Sequence, residues 1–229
     1  MKKLLSLICI AGLSMPALAA SHSEKLRNRL DASQTVIEQI MSIPDKAVPN
    51  EIASKATCVG VIPGVLKGAF IFGGEYGQGV VTCRTGHGWS APVFIRLAGG
   101  SFGFQIGGQG TDLVLVSVNR KGFDDLLRDK IKIGVDASAA AGPVGRDAQA
   151  STDLQLKAEL LTWSRSRGLF AGIDLNGAVV SQNSDDTERL YGSRHSFERI
   201  LNGEVVPPVV AEPFLKAVAQ YFGAAVAAQ

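Results

Sequence analysis

Few groupings in this chain have the residue types and spacing of reaction chemistry. Gly99-Gly100-Ser101-Phe102-Gly103 contains a Gly-x-Ser-x-Gly pattern. In hydrolases that pattern holds a serine nucleophile on a sharp turn between a strand and a helix. Here the residues that follow, Phe104-Gln105-Ile106-Gly107-Gly108, are too rich in glycine to start a helix. The only candidate base after a later acid is His195, in a segment that reads as helix and loop. No catalytic residue is assigned on this basis. Gly107 to Asp112 lacks the Lys-Ser/Thr ending of a nucleotide loop and precedes an apolar strand, so nucleotide binding is not read there. His22, His87 and His195 lack the paired spacing of metal ligands. Asp124-Asp125 and Asp185-Asp186 open helical segments, where the helix dipole favours negative charge. No cofactor or metal is expected.

The cations carry more information. Lys25, Arg27 and Arg29 cluster early, Arg120-Lys121 follows an apolar run, Arg146 follows a Gly-Pro turn, and Arg165 and Arg167 bracket Ser166. Guanidinium and ammonium groups of this kind bind phosphate or sulfate. Taken singly, each also reads as an ordinary surface salt bridge.

These residues must be positioned by one core. The chain has 229 residues, 46% of them hydrophobic, which suits a single domain. Lys2 and Lys3, the apolar run Leu4 to Leu13 and the small-x-small site Ala17-Leu18-Ala19 read as a signal peptide cut after Ala19. Residues 1–19 are then the signal and 20–229 one domain, with its core at about 24–222. Loss of Lys2 and Lys3 leaves equal numbers of basic and acidic side chains, which speaks against a nucleic-acid binder. Cys58 and Cys83 form an even pair in an exported chain and suggest a disulfide between neighbouring strands, with buried thiols or a metal pair as alternatives. No Cys-x-x-Cys or histidine cluster supports the metal.

Along the chain, Ser21 to Ile43 reads as a helix opened by a Ser21–Glu24 capping box and stopped at Pro44. Leu26, Leu30, Ile37 and Ile40 share one face, interrupted by Ser33. Such a stripe packs on the body of the domain, or lies on a membrane with its basic residues toward anionic headgroups. A short helix is expected near Pro49 to Ala56. Strands are expected at Cys58 to Ile62 (stopped by Pro63-Gly64), Gly68 to Phe72, Tyr76 to Arg84, Trp89 to Leu97, Gly100 to Gly107 and Leu113 to Val118. The last is almost wholly apolar and should bury both faces. A helix at Gly122 to Lys130 and an extended run at Ile131 to Ala141 follow. A last pair of strands spans Leu154 to Arg165 and Leu169 to Val180. Short helices near Asp185 to Tyr191 and Ser196 to Asn202 lead to a terminal helix, Glu212 to Phe222. The fold class is α+β: a glycine-rich, mostly antiparallel sheet or partly closed barrel, with N- and C-terminal helices packed on it.

Four stretches together resemble the SYLF domain. They are VIPGVLKGAFIFGGEYGQGVV (Val61 to Val81), APVFIRLAGGSFGFQIGGQGTDLVLV (Ala91 to Val116), AAGPVGRDAQASTD (Ala140 to Asp153) and SRSRGLFAGIDLNGAVV (Ser164 to Val180). Leu190 to Gly192 also fits, and the resemblance spans about residues 24 to 222. It implies a lipid-binding module for phosphoinositides or other anionic membranes. An N-terminal amphipathic helix engages the membrane, and actin binding occurs in some eukaryotic members. Carried to this chain, the helix is Ser21 to Ile43, with contacts at Lys25, Leu26, Arg27, Arg29 and Leu30. The resemblance brings no catalytic residue with it.

The expectation is a non-enzymatic protein of the bacterial cell envelope, periplasmic or extracellular and peripherally membrane-associated, that binds anionic phospholipid. Leu26 and Leu30 insert shallowly in this reading, and Arg146, Arg165 and Arg167 add cationic contacts. The alternatives are an envelope module that docks a protein partner and a hydrolase using Ser101. Actin enters only by family analogy and does not suit an exported bacterial chain.

Overall fold

The computed structural model describes residues 15–43, 47–69, 73–101, 109–119, 121–142, 159–166, 169–170 and 175–223. Helix α1 spans Met15–Met41 and α2 spans Asn50–Lys55. The strands are β1 (Cys58–Ala69), β2 (Gly73–Thr85), β3 (Gly88–Trp89), β4 (Val93–Ser101) and β5 (Gln109–Ser117). After α3 (Lys121–Arg128) come β6 (Lys130–Lys132), β7 (Ala139–Ala141), β8 (Leu160–Ser166), β9 (Leu169–Phe170) and β10 (Val179–Gln182). Helices α4 (Ser184–Tyr191), α5 (Phe197–Leu201) and α6 (Glu212–Phe222) close the chain.

One curled sheet runs in the order β6-β10-β4-β2-β1-β5-β8-β7, with β3 on β2 and β9 on β8. Every described pairing between strands is antiparallel except β7 with β8. The α+β architecture expected from the sequence is therefore what forms. Alternation along the strands sends side chains to two separate cores. Val59 and Val61, Val80, Phe94, Val114 and Val116 and Trp163 face outward and are covered by α1, α2 and α6. Cys58, Val81, Ile95, Leu97, Leu113 and Leu115 face inward and pack with Phe123 and Leu126 of α3 and with Phe197 and Ile200 of α5. The apolar run of β5 thus buries both faces, as its composition requires.

The strand expected at Trp89 to Leu97 divides into β3 and β4, and within that expected at Leu169 to Val180 residues 175–178 form a turn between β9 and β10. Three further local readings need correction. Residues Cys58 to Ala69 form one strand, not two interrupted at Pro63-Gly64. The register shifts between Ile62 and Val65, and Gly64 adopts φ +58°, so the two residues make a bulge. Proline needs no ladder donor there, and glycine reaches the left-handed region without a Cβ clash. Gly100 and Ser101 belong to the end of β4, while the rest of the strand expected at Gly100 to Gly107 lies outside the described residues. Helix α1 begins at Met15, so Ser21 and Glu24 lie within it and do not cap its start.

Glycine is required sterically at Gly79. A Cβ there would sit 2.0 Å from the Val61 carbonyl oxygen and 2.9 Å from Ile62 Cα, both backbone atoms of the bulged strand. Gly79→Ala is expected to push β1 from β2 and destabilise the domain by about 1–3 kcal/mol or more. Urea titration of the purified variant would measure this, and an unchanged midpoint would refute the close packing.

Candidate functional site

Helix α1 lies across the outer face of the sheet, and its stripe is consumed by that packing. Leu26 and Leu30 are 3% and 1% exposed and join the outer core with Val36, Ile37 and Ile40. The membrane insertion expected of Leu26 and Leu30 does not fit this arrangement, because hydrophobic burial against the sheet already removes both from water. Ser33, read as a break in the stripe, is fully buried and donates its hydroxyl to the Arg29 carbonyl oxygen at 2.7 Å. That bond satisfies the hydroxyl within the helix.

The early cations divide between two roles. Arg29 is turned toward the sheet. It donates to Asp186 of α4 at 2.8 Å and to Gln78 of β2, and its guanidinium stacks 5.0 Å from the Phe94 ring centre. Its charge is thus answered within the fold, and the membrane contact expected of it is corrected accordingly. Lys25 and Arg27 are exposed. Asp186 is the residue that sequence reasoning missed. It was read as a helix-dipole acid, but it also accepts from Asn183 at 2.6 Å and from Arg189 at 3.3 Å. Burial opposes its ionisation. The bond and charge of Arg29, helped by Asn183 and Arg189, outweigh that cost and hold the carboxyl below its ordinary range. Asn183 caps α4 by accepting from the Asp186 amide, and its side-chain oxygen also accepts from Arg96 at 2.6 Å. Arg29 and Asp186 are 157 residues apart, so only the folded chain shows that they pair.

Arg165 has a similar part at the far end of α1. It bonds Gln39 of α1 and lies 3.4 Å from Asp112 of β5, whose other oxygen accepts the Gly64 amide of the bulge at 3.0 Å. Arg146 and Arg167 lie outside the described residues.

Between the N-terminal half of α1, the end of α4 and the 3-10 turn Val209–Ala211 is an open cleft of about 480 Å³. Arg27 and Asn28 of α1 and Arg189 of α4 line it with Glu24, and Leu26, Leu190 and Val210 provide its apolar walls. A cleft with two guanidinium groups and an apolar wall has the chemistry to hold a phosphate-bearing headgroup.

Cys58 and Cys83 face each other across β1 and β2 and are joined by a disulfide, with each residue 2% exposed. Ser101 ends β4, and residues 102–108 after it lie outside the described residues. His195 accepts or donates to Ser193 at 2.9 Å on an exposed turn. Among the described residues no group of three or more His, Cys, Asp or Glu is placed to hold a metal, and no helix is long and apolar enough to cross a membrane.

The family profile Ysc84, described as Las17-binding protein actin regulator, matches residues 98–221, more than half of the chain. The chain belongs to the Ysc84 family. The resemblance to the SYLF domain points to this same family. The Ysc84 match begins inside β4 and ends inside α6, so it takes in β5, both sheet flanks and α4 with Asp186. Among curated Ysc84 relatives, an SH3 domain-containing protein of Schizosaccharomyces pombe is 33% identical over 75% of this chain and 40% of its own length. LAS seventeen-binding protein 3 of Saccharomyces cerevisiae is 31% identical over 75% of this chain and 38% of its own. The SH3 domain-containing YSC84-like protein 1 of Xenopus laevis is 31% identical over 86% of this chain and 59% of its own. The chain therefore spans about two fifths of the length of its fungal relatives.

Proposed function

We propose that this chain is a non-enzymatic binding protein of the bacterial cell envelope that recognises anionic phospholipid headgroups. The observation that carries the reading is the cleft beside α1, where Arg27 and Arg189 stand over an apolar wall. A phosphate group suits the two guanidiniums, and the start of an acyl chain suits Leu190 and Val210. Export is supported by the signal-like start of the chain and by the buried disulfide, which oxidising compartments preserve.

The test is co-sedimentation of the chain with phosphatidylcholine vesicles and with vesicles containing phosphatidylglycerol, across a salt series. Binding is expected only to the anionic vesicles and should weaken with salt. A Lys25→Glu/Arg27→Glu variant should lose at least about tenfold in binding, since each basic residue near such a surface contributes about 1 kcal/mol. Both side chains are exposed, so thermal unfolding should be unchanged. Arg29 stays intact in this variant because reversing it would also break its pair with Asp186. Binding equal to the parent would remove the cleft as the headgroup site.

A second reading, docking of a protein partner, draws on the Las17-binding relative in yeast. It gains if the chain binds no vesicle and instead captures an envelope protein in the absence of lipid.

A further inference from the structure

Beyond the shelter of α1, the outer face of the sheet is ordered in rows. The first row is polar: Ser181, Arg96 and Gln78 are mutual register partners on β10, β4 and β2. The next row is apolar. Val179, Ala98, Tyr76, Leu66 and Gly110 follow one another across five strands. Leu66 is 58% and Tyr76 48% exposed. At the usual strand spacing this row is about 19 Å long. The third row is glycine: Gly100 pairs with Gly74, and Gly74 with Gly68.

Among the described residues nothing requires glycine at two of those places. Among the described residues, a Cβ on Gly100 would meet nothing within 4 Å, and one on Gly74 only the Gly99 carbonyl oxygen at 3.7 Å. Neither has a positive φ. This is the reverse of Gly79, where the chain's own backbone excludes a side chain. Glycine at such a place in a strand fits close approach by something outside the chain.

We propose that this end of the outer sheet face is a bilayer-contact surface. Leu66 and Tyr76 enter the apolar edge of a phospholipid membrane, and the glycine row lets the backbone lie flush against it. The inference rests on the lipid-binding reading and names the surface that meets hydrocarbon. Three observations favour a bilayer over a protein. The described residues of the second and third rows are all uncharged, so these rows carry no charge pattern to select a particular protein. The Tyr76 hydroxyl accepts from Gln78 at 2.7 Å and is held toward the polar row while the ring remains exposed, which suits a residue at a membrane interface. Cations stand on the same border: Arg96 in the polar row is partly exposed, and exposed Lys25 is one helical turn from Arg29, which lies beside Leu66 and Tyr76.

The experiment uses the full chain with vesicles of equimolar phosphatidylcholine and phosphatidylglycerol. Leu66→Asp/Tyr76→Asp is expected to reduce partitioning at least about tenfold, the loss that follows from removing two buried apolar side chains. Gly100→Glu should reduce it as well while leaving the melting temperature unchanged, because no described residue lies within 4 Å of a Cβ at this position. In Tyr76→Trp, acyl-chain-brominated lipid should quench more emission than in the parent. If the parent binds these vesicles and the double variant and Gly100→Glu bind equally well, this surface is wrong and the lipid reading stands. If the parent binds no vesicle, both fall. If the parent is a dimer that Leu66→Asp/Tyr76→Asp dissociates with vesicle binding intact, the face is covered by a second copy and the proposal is overturned.

Discussion

Replacing Cys58 and Cys83 together by alanine is expected to lower the free energy of unfolding by about 3.5 kcal/mol, the chain-entropy value for a loop of this length. The bond closes a separation of 25 residues, spanning the whole β1–β2 hairpin. Freed of it, the denatured chain explores more conformations, while the folded strands keep their ladder and their inward packing. In a domain of this size the melting temperature should fall by about 10 °C. Denaturant titration with and without reductant would give the same difference in the parent. Alanine is preferred to serine because each cysteine is 2% exposed and a serine hydroxyl would be buried there. A change below about 1 kcal/mol would mean that the hairpin persists in the unfolded chain and that the link constrains little.

The second large effect belongs to the pair that fastens α1 to α4. The side chains of Arg29 and Asp186 are 14% and 10% exposed. Removing one partner of such a pair leaves the other buried without its counter-charge, so Asp186→Ala should cost about 3–5 kcal/mol. Arg29→Met with Asp186→Leu should cost much less, since no charge is then stranded. Equal losses in the single and double variants would show that packing, not charge, dominates at this contact. The same carboxyl sets an acid limit. Its folded pKa is depressed. Its contribution is therefore complete above the unfolded value of about 3.9 and disappears as the pH falls through the lower folded value. Asp186→Asn should flatten the acid limb of the stability profile, and a limb of unchanged slope would assign acid unfolding to other carboxylates.

What the sequence made legible was decided by local periodicity. Glu212 to Phe222 matches α6, because Pro213 suits a helix start and Phe214, Ala217, Val218 and Phe222 return to one face. The unbroken apolar run in β5 implied burial on both sides, and each side has its own core. Pro63-Gly64 misled because the same dipeptide ends a strand or bulges it, and the choice depends on partners on both sides. The stripe on α1 misled at the site for a comparable reason. Periodicity identifies an apolar face but is silent on what covers it, and Leu26 and Leu30 turn toward the sheet. Asp186 was invisible as a partner because its cation lies at the other end of the chain. The exposed row at Leu66 and Tyr76 needed the bulge: without the shift in register, strand alternation gives no neighbour list across β2, β1 and β5.

The β1–β2 hairpin is gripped very unequally along its length. Its base carries the covalent link and is clasped from outside by Arg84, which donates to the Ala56 and Phe222 carbonyl oxygens and stacks 4.7 Å from the Trp89 ring centre. Farther along, the described pairs are Gly68 with Gly74 and Ala69 with Gly73. The same two strands therefore grade from a clasped root to glycine-rich pairs. Amide exchange should follow that gradient, slow at Val59 and faster toward Ala69. The covalent link and the Arg84 clasp therefore fix the hairpin to the two cores at its root and leave its placement to that one end.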